Sequence, residues 1–314
     1  MPRIVYLSWP AVEIGGGVKA IFQHVELLAE AGLEALVASR DGAAPGWFET
    51  KAKAITLDQV KDDDILVFPE NDASLFKSFA NRRNRKLVFC QNPYQVFRGL
   101  EGISSYADAG ASHILCPSHT VMQFCRRRFP GMKVAYTPYY IDHERFIYEP
   151  GKALQICAVP RKRMMEFGAI VDLFRATYPQ YREVPWMYTH NATEAEVAAT
   201  MRKSAVYLAL SRLEAHGMTT LEAMACGCVV AGFTGVFGGN DSASVRNGFW
   251  AAEDDIFGCV DQLGRAVQLA IARDTVFEAM VGQCRRTAWE YRREEAARLL
   301  LAFWKAALPE LLAR

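Results

Sequence analysis

The alternation of short apolar runs with longer amphipathic stretches constrains this chain more than any other feature. Ile65–Pro69, Lys86–Asn92 and His113–Ser118 are short runs rich in apolar residues, the pattern of strands buried on both faces of a sheet. Val18–Ala31 has the apolar spacing of an amphipathic helix and is followed by Gly32, a residue that commonly ends helices. Repeated strand–helix–strand units of this kind predict an α/β fold, a parallel sheet covered by helices on both sides.

This alternation occurs twice, on either side of a turn-rich passage at Tyr139–Gly151. A length of 314 residues, of which 51% are hydrophobic, is enough for two packed cores. We therefore predict two Rossmann-like domains, residues 1–143 and 144–290, with a nearly continuous helical pattern over Val260–Leu308 at the end. Because ligands bind such sheets at the carboxyl ends of the strands, a site is expected in a cleft between the domains.

Composition narrows the class of partner and the compartment. The formal net charge is +1, from 36 Lys and Arg against 35 Asp and Glu, so the overall charge does not favour nucleic acid as a partner. The longest apolar run, Cys228–Gly238, is about half of the roughly 20 residues that cross a bilayer, and Met1–Gly17 lacks the pattern of a secretory signal. The 8 cysteines lie mostly in apolar segments, which favours reduced, buried thiols and a cytoplasmic location.

Three glycines, Gly15, Gly16 and Gly17, follow the first predicted strand and open the first helix. A glycine turn at that junction lets backbone N–H groups approach a phosphate or a sugar, helped by the positive end of the helix. The segment does not match G-x-G-x-x-G, which disfavours a nicotinamide-dependent enzyme. A tight turn with no ligand is the alternative.

Three cations, Arg161, Lys162 and Arg163, come directly after the first strand of the second domain. Arginine binds phosphate oxygens through two parallel hydrogen bonds, and lysine acts as a point charge. The carboxyl end of a buried strand is where an anion would bind, so this position favours a phosphate site. A solvated basic loop is the alternative.

Two carboxylates, Glu214 and Glu222, are separated by seven residues around a predicted strand–loop–helix junction. The first N–H groups of that helix, at Gly217, Met218 and Thr219, form an anion site, and a carboxylate beside it can accept hydrogen bonds from a ribose. Each glutamate also lies three residues after a Ser or Thr, so each fits a capping box that needs no ligand. Spacing alone leaves both interpretations open.

The segment Ser211–Gly227 closely resembles the E-x₇-E motif of retaining glycosyltransferases of the GT-B architecture, family 4 (the glycosyltransferase group 1 proteins). Tyr140–Phe146 is similar to the family's segment entering the second domain, and Ala288–Trp304 to its terminal helix. The resemblance implies a GT-B fold, two Rossmann-like parallel-sheet domains facing across a cleft. It also implies that residues 291–314 form a helix that crosses back to the first domain.

The resemblance implies roles for the carboxylates and the helix between them. Glu222 would bind the ribose hydroxyls of the donor nucleotide. Glu214 would bind the hydroxyls of the donor sugar at the catalytic centre. The amides of Gly217, Met218 and Thr219 would hold the diphosphate.

The resemblance implies further donor contacts. One or two of Arg161, Lys162 and Arg163 would correspond to the family's Arg and Lys, although the family's G-R-x-x-x-x-K-G loop is not matched in register. The glycine turn at Gly16 and Gly17 would lie against the donor phosphate or the acceptor. His216 stands where the family has an aromatic residue, so it either reads a sugar hydroxyl or fills the space of that ring.

These features predict a retaining glycosyltransferase of the hexosyltransferase kind, acting in polysaccharide biosynthesis. Its donor would be a UDP-, GDP-, ADP- or dTDP-sugar, and its acceptor a glycan, a lipid-linked sugar or a small molecule. No cofactor is expected, and the histidine spacing predicts no metal site. Peripheral contact with the inner face of the membrane is compatible with the basic clusters, and the oligomeric state stays open. The alternatives are a non-catalytic GT-B scaffold and another GT-B enzyme such as an epimerase or a phosphorylase.

Overall fold

The computed structural model describes residues 2–309 except His216 and Val236. The chain divides into two compact units, each with its own sheet. The N-terminal unit consists of two segments, the chain up to Tyr140 and the chain from Arg293 onward. The C-terminal unit is Ile141–Arg292. The last helix therefore belongs to the N-terminal unit.

The N-terminal unit is built on a sheet of seven parallel strands in the order β3-β2-β1-β4-β5-β6-β7. The strands are β1 (Ile4–Leu7), β2 (Ala35–Ser39), β3 (Ala54–Thr56), β4 (Ile65–Pro69), β5 (Arg85–Phe89), β6 (Ala111–Cys116) and β7 (Lys133–Tyr136). The order reverses between β1 and β4, and ligands of such sheets bind beyond the carboxyl ends of the strands at the point of reversal.

The C-terminal unit has five parallel strands in the order β12-β11-β10-β8-β9. They are β8 (Ala153–Ala158), β9 (Trp186–Tyr188), β10 (Ser204–Ser211), β11 (Val229–Thr234) and β12 (Phe249–Trp250). Here the order reverses between β8 and β10, so the loops that follow these two strands meet at the expected binding edge.

The helices alternate with the strands until the last three, which follow one another. They are α1 (Gly16–Glu30), α2 (Ala73–Ser78), α3 (Val96–Gly99), α4 (His119–Arg128), α5 (Met164–Thr177), α6 (Glu194–Lys203), α7 (Met218–Ala225), α8 (Phe237–Ser242), α9 (Ile256–Ala272), α10 (Thr275–Trp289) and α11 (Arg293–Ala307). None of the helices in the described residues combines the length and the apolar content that spanning a bilayer requires.

The α/β fold with two parallel sheets is confirmed, and the central strands are buried as their composition predicted. Every residue of β1, β4 and β10 is buried, because helices cover both faces of each sheet. The predicted strand Ile65–Pro69 matches β4 residue for residue. Three short strands at or near sheet edges were missed, because β3, β7 and β12 have only 3, 4 and 2 residues and are only partly buried.

Candidate active site

The loops that follow β8 and β10 bring two predicted site residues into contact. Lys162 Nζ lies 2.7 Å from Glu214 Oε1 and donates to the carbonyl of Arg212 at 3.2 Å. Both side chains keep about a third of their surface exposed, 31% for Lys162 and 27% for Glu214. The cation loop and the first glutamate of the E-x₇-E segment, 52 positions apart in the chain, thus share one edge of the sheet.

The backbone around Glu214 adopts uncommon conformations. Leu213 has φ +48°, a left-handed conformation that is unfavourable for a residue that carries a Cβ. Gly235, in the turn after β11, has φ +80°, and its carbonyl accepts a hydrogen bond from Glu214 N at 3.1 Å. A Cβ on Gly235 would stand 2.7 Å from Ser211 Cβ, so only glycine fits here. Such conformations persist where surrounding contacts hold them, and they cluster at functional sites.

Helix α7 begins at the same edge with an uncapped N-terminus. Gly217 is its N-cap, no side chain caps it, and its first turn carries no acidic residue. The N–H groups of Met218 and Thr219 have no carbonyl partner within the helix, since the first turn of any helix lacks them. The positive end of α7 is therefore suited to an anion, and binding of a diphosphate there stays a prediction.

Both capping-box interpretations are wrong. The N-cap of α7 is Gly217, two residues before Thr219, so Glu222 does not close a box with Thr219. No helix begins at Ser211, where β10 ends, and the Glu214 amide donates across to Gly235 instead. Neither glutamate therefore closes a capping box with the residue three positions before it.

Glu222 lies in the second turn of α7 and is only 4% exposed. Burial raises the pKa of Tyr207 on β10, and the negative charge of Glu222 nearby raises it further. Contact of Glu222 with a ribose stays a prediction.

The three cations after β8 have different surroundings. Arg161 and Lys162 are exposed, whereas Arg163 is 1% exposed. Its guanidinium donates to Glu253 Oε2 at 2.6 Å and to Asp254 Oδ1 at 2.5 Å, and it lies over the Phe233 ring. In the structure the positive charge of Arg163 is paired with the carboxylates of Glu253 and Asp254. Contact of Arg163 with a diphosphate stays a prediction.

Sequence reasoning missed Glu253 and Asp254. They follow β12, about 90 residues beyond Arg163, and only the strand order places them next to it. An acidic pair after a two-residue edge strand carries no signal in a single sequence. His216, the remaining predicted donor contact of this unit, lies outside the described residues.

In the N-terminal unit, Gly16 and Gly17 form the first turn of α1, which has no side-chain cap and no acidic residue there. A Cβ on Gly17 would stand 3.3 Å from the Trp9 ring and 3.4 Å from Gln91 Oε1. The Gln91 Nε2 atom is buried and has no hydrogen-bond partner among the described residues. The glycine turn thus lies against the side-chain amide of Gln91, which follows β5, and the ring of Trp9, which follows β1.

Glu70, directly after β4, is a second feature that sequence reasoning missed. It is 2% exposed, and its Oε1 accepts from the Asn92 amide at 2.8 Å. Burial raises the pKa of the Glu70 carboxyl to about 7. The buried Oε2 has no hydrogen-bond partner in the described part of the chain.

Two other expectations concern metal ligands and thiols. Over residues 2–309, apart from positions 216 and 236, no group of three or more His, Cys, Asp or Glu side chains is arranged to hold a metal ion. All 8 cysteines are buried and unbridged.

Two Rossmann-like units with parallel sheets, and a last helix that returns to the first unit, define the GT-B fold. Solved structures bear this out. Anabaena HepE in complex with UDP aligns with a TM-score of 0.69 at 11% identity, over 97% of this chain and 100% of that chain. An alpha-glucosyltransferase in complex with UDP and a 13-mer DNA aligns with a TM-score of 0.68 at 14% identity, over 99% of each chain.

Among curated proteins, the chain is similar to an alpha-1,6-glucosyltransferase of Actinobacillus pleuropneumoniae serotype 7 (strain AP76). The two are 25% identical over 244 residues, which cover 74% of this chain and 72% of the relative. No protein-family model matches the chain.

Proposed function

We propose that the protein is a retaining glucosyltransferase that moves glucose from UDP-glucose to a hydroxyl of a glycan, a lipid-linked sugar or a small-molecule acceptor. The observation that carries the proposal is the meeting of Lys162 and Glu214 at 2.7 Å, at the edge of the sheet where α7 begins. A cation, a carboxylate and free helix amides at one edge suit a nucleotide-diphosphate sugar, whose diphosphate is anionic and whose sugar carries hydroxyls.

In the proposed reaction the bond between the sugar C1 and the diphosphate oxygen breaks with its electron pair going to the diphosphate. The bond between C1 and the acceptor oxygen forms, and the acceptor hydroxyl loses its proton to the departing diphosphate. Lys162, Arg161 and the amides of Met218 and Thr219 stabilise the charge that grows on the leaving group. Glu214 orients the sugar through its hydroxyls, and Glu222 binds the ribose.

The choice of donor and stereochemistry rests on the similar proteins. One is named an alpha-1,6-glucosyltransferase, and two solved structures of the same fold contain UDP. UDP-glucose carries its diphosphate in the α configuration, so an α-linked product means retention. An acceptor that is itself a glucoside, taking glucose on its 6-hydroxyl, is the first to test.

The remaining parts of the proposal are metal independence and location. We propose that the diphosphate charge is met by Lys162, Arg161 and α7, so that transfer needs no divalent cation. We also propose that the protein works in the cytoplasm, or at the inner face of the membrane where lipid-linked acceptors are found.

The test is titration calorimetry of the purified protein with UDP, GDP, ADP and dTDP, each with and without EDTA. We expect micromolar binding of UDP alone, unchanged by EDTA. Incubation with UDP-glucose and methyl β-D-glucoside, read by NMR, should then show an α-linked disaccharide. Tight binding of UDP without turnover would instead support a non-catalytic scaffold, and a β-linked product would exclude retention.

A further inference from the structure

We propose that Arg163 and Glu253 are positioning residues: the buried Arg163 and the partly buried Glu253 form an ion pair that sets the loop bearing Glu214 through the turn at Gly235. The proposal rests on the proposed function, in which Glu214 orients the donor sugar. All of its contacts lie within the C-terminal unit.

The first residue of the pair is Arg163, and each of its three guanidinium nitrogens donates a hydrogen bond. Its Nε donates to the carbonyl of Ser211 at 2.9 Å, which fixes the last residue of β10. Its two terminal nitrogens donate to Glu253 and Asp254, and the Phe233 ring lies 4.4 Å away. With Glu166 Oε1 a further 3.5 Å away, three carboxylates surround this one buried guanidinium and leave no net positive charge for a diphosphate, so that anion falls to the exposed Lys162 and Arg161.

The second residue is Glu253, whose two carboxylate oxygens each accept a hydrogen bond from a different partner. One oxygen, Oε2, accepts from Arg163 at 2.6 Å, and the other, Oε1, accepts from the Gly235 amide at 2.8 Å. The same residue, Gly235, accepts from the Glu214 amide through its carbonyl. A chain of hydrogen bonds therefore runs from Arg163 through Glu253 and Gly235 to the backbone of Glu214.

The backbone at Leu213, Glu214 and Gly235 would not keep its conformation without these hydrogen bonds. Leu213 is left-handed, at a cost of about 1–2 kcal/mol for a residue that carries a Cβ. The turn at Gly235 approaches Ser211 and Glu214 so closely that a side chain is excluded. Such a loop keeps its geometry only while its anchors persist. Misplacement of a substrate-orienting group by about 1 Å can cost about 100-fold in rate.

Asp254 supplies a matched control. It pairs with Arg163 as Glu253 does, but no hydrogen bond links it to Gly235. Asp254 has φ +64°, which asparagine also tolerates, so Asp254→Asn changes the charge without straining the backbone. The comparison of the two sites separates the link to Gly235 from the charge balance around Arg163.

The experiment measures kcat with UDP-glucose and methyl β-D-glucoside, and Kd for UDP by calorimetry, in Glu253→Ala, Glu253→Gln and Asp254→Asn. We expect kcat to fall about 100-fold in Glu253→Ala, with Kd for UDP changed less than about twofold. Glu253→Gln keeps an acceptor for Gly235 and should lie between that variant and wild type. Asp254→Asn should stay within about twofold of wild type.

A double-mutant cycle and hydrogen exchange make the test specific. If Glu253 acts through Glu214, the double variant Glu253→Ala/Glu214→Ala has the kcat of Glu214→Ala alone. Exchange of the backbone amides over residues 212–215 should accelerate in Glu253→Ala and not in Asp254→Asn.

Three results would overturn the positioning role: independent, multiplicative losses in the cycle, a loss of UDP affinity as large as the loss of kcat, or equal losses in Glu253→Ala and Asp254→Asn. A folded wild type that turns over no donor would refute the proposed function instead. Hydrogen exchange would then still decide whether Glu253 holds the Glu214 loop.

Discussion

At the residue scale, the two glutamates of the C-terminal unit differ in where their carboxyls lie. Glu222 is buried in α7, and Glu214 is partly exposed beside Lys162. We expect Glu222→Ala to weaken UDP binding at least about tenfold, because vicinal ribose hydroxyls lose a charged acceptor whose hydrogen bonds contribute about 1.5–3 kcal/mol. Calorimetry with UDP measures this, and Glu214→Ala is the control that should bind UDP like wild type. Equal binding by Glu222→Ala would remove the ribose assignment.

Lys162 is the cation that we expect to bind the diphosphate in the proposed function. Its side chain is partly exposed, and among the residues that the structure describes its polar partners are Glu214 and the Arg212 carbonyl. Lys162→Met keeps the length of the side chain and removes the charge. We expect it to lower affinity for UDP about tenfold while affinity for uridine, which has no phosphate, stays unchanged. Lys162→Arg should retain most of the UDP affinity, and an equal loss for uridine would mean that the lysine shapes the loop instead.

The residues of the site could be predicted only where sequence-local features mark them. Glu214, Gly217 and Lys162 stand beside strand ends or a helix start, and the structure does bring the loops that carry them to one edge. The partners of Arg163 could not be predicted. Arg163 and Glu253 are 90 positions apart in the chain, and only the strand order of the folded sheet brings them together. A row of three cations looks alike in sequence, whereas the fold buries one and exposes two.

At the scale of elements, the buried strands and the longer helices were predictable from apolar patterning. The short edge strands were not, because 2 to 4 partly buried residues carry too little periodicity. The helical tail was predicted as one pattern, and the structure divides it into α9, α10 and α11. The first break follows α9 at Arg273, which takes a left-handed conformation that ends the helix.

The glycine turn that opens α1 gives a prediction at this scale. A Cβ at position 17 would press on Trp9 and Gln91 at 3.3–3.4 Å, so these side chains must shift by a few tenths of an ångström. We expect Gly17→Ala to change the free energy of unfolding by less than about 1 kcal/mol, since alanine favours the helix by a similar amount. Transfer from UDP-glucose should nevertheless fall.

Gly168 provides the control for that variant. It lies inside α5 with open space where a Cβ would stand. Gly168→Ala should raise the free energy of unfolding by about 0.5–1 kcal/mol and leave transfer unchanged. Thermal unfolding and turnover measured on both variants separate helix propensity from use of the turn. Full activity of Gly17→Ala would mean that this glycine serves only the fold.

At the scale of the whole molecule, the N-terminal unit buries two titratable groups whose effects on stability oppose each other. Burial raises the pKa of Glu70 to about 7 and lowers the pKa of His24 to about 4. His24 is held between Tyr6 and the carbonyl of Pro138, and it stacks on Phe89, so it is part of the core of this unit.

The direction of each change in stability depends on whether the native or the unfolded chain binds the extra proton. Between pH 4.5 and 7 native Glu70 keeps a proton that the unfolded chain has lost, so its contribution to stability falls as pH rises and is gone above pH 7. Between pH 6.5 and 4 unfolded His24 gains a proton that the native ring refuses, so stability falls as pH drops. Each group changes the free energy of unfolding by about 3 kcal/mol over its own pH range. Between about pH 4.5 and 6.5, where the two ranges overlap, the effects of Glu70 and His24 cancel.

Glu70→Gln therefore separates the two effects, because glutamine keeps an acceptor for the Asn92 amide and does not titrate. We expect the variant to gain stability relative to wild type by about 3 kcal/mol as pH rises from 4.5 to 7. Urea unfolding of both full chains at each pH measures this, and the difference cancels every group that they share. Since the effect belongs to Glu70 alone, the same gain should appear when both proteins also carry His24→Gln. A difference that stays constant with pH would mean that native Glu70 ionises with an ordinary pKa.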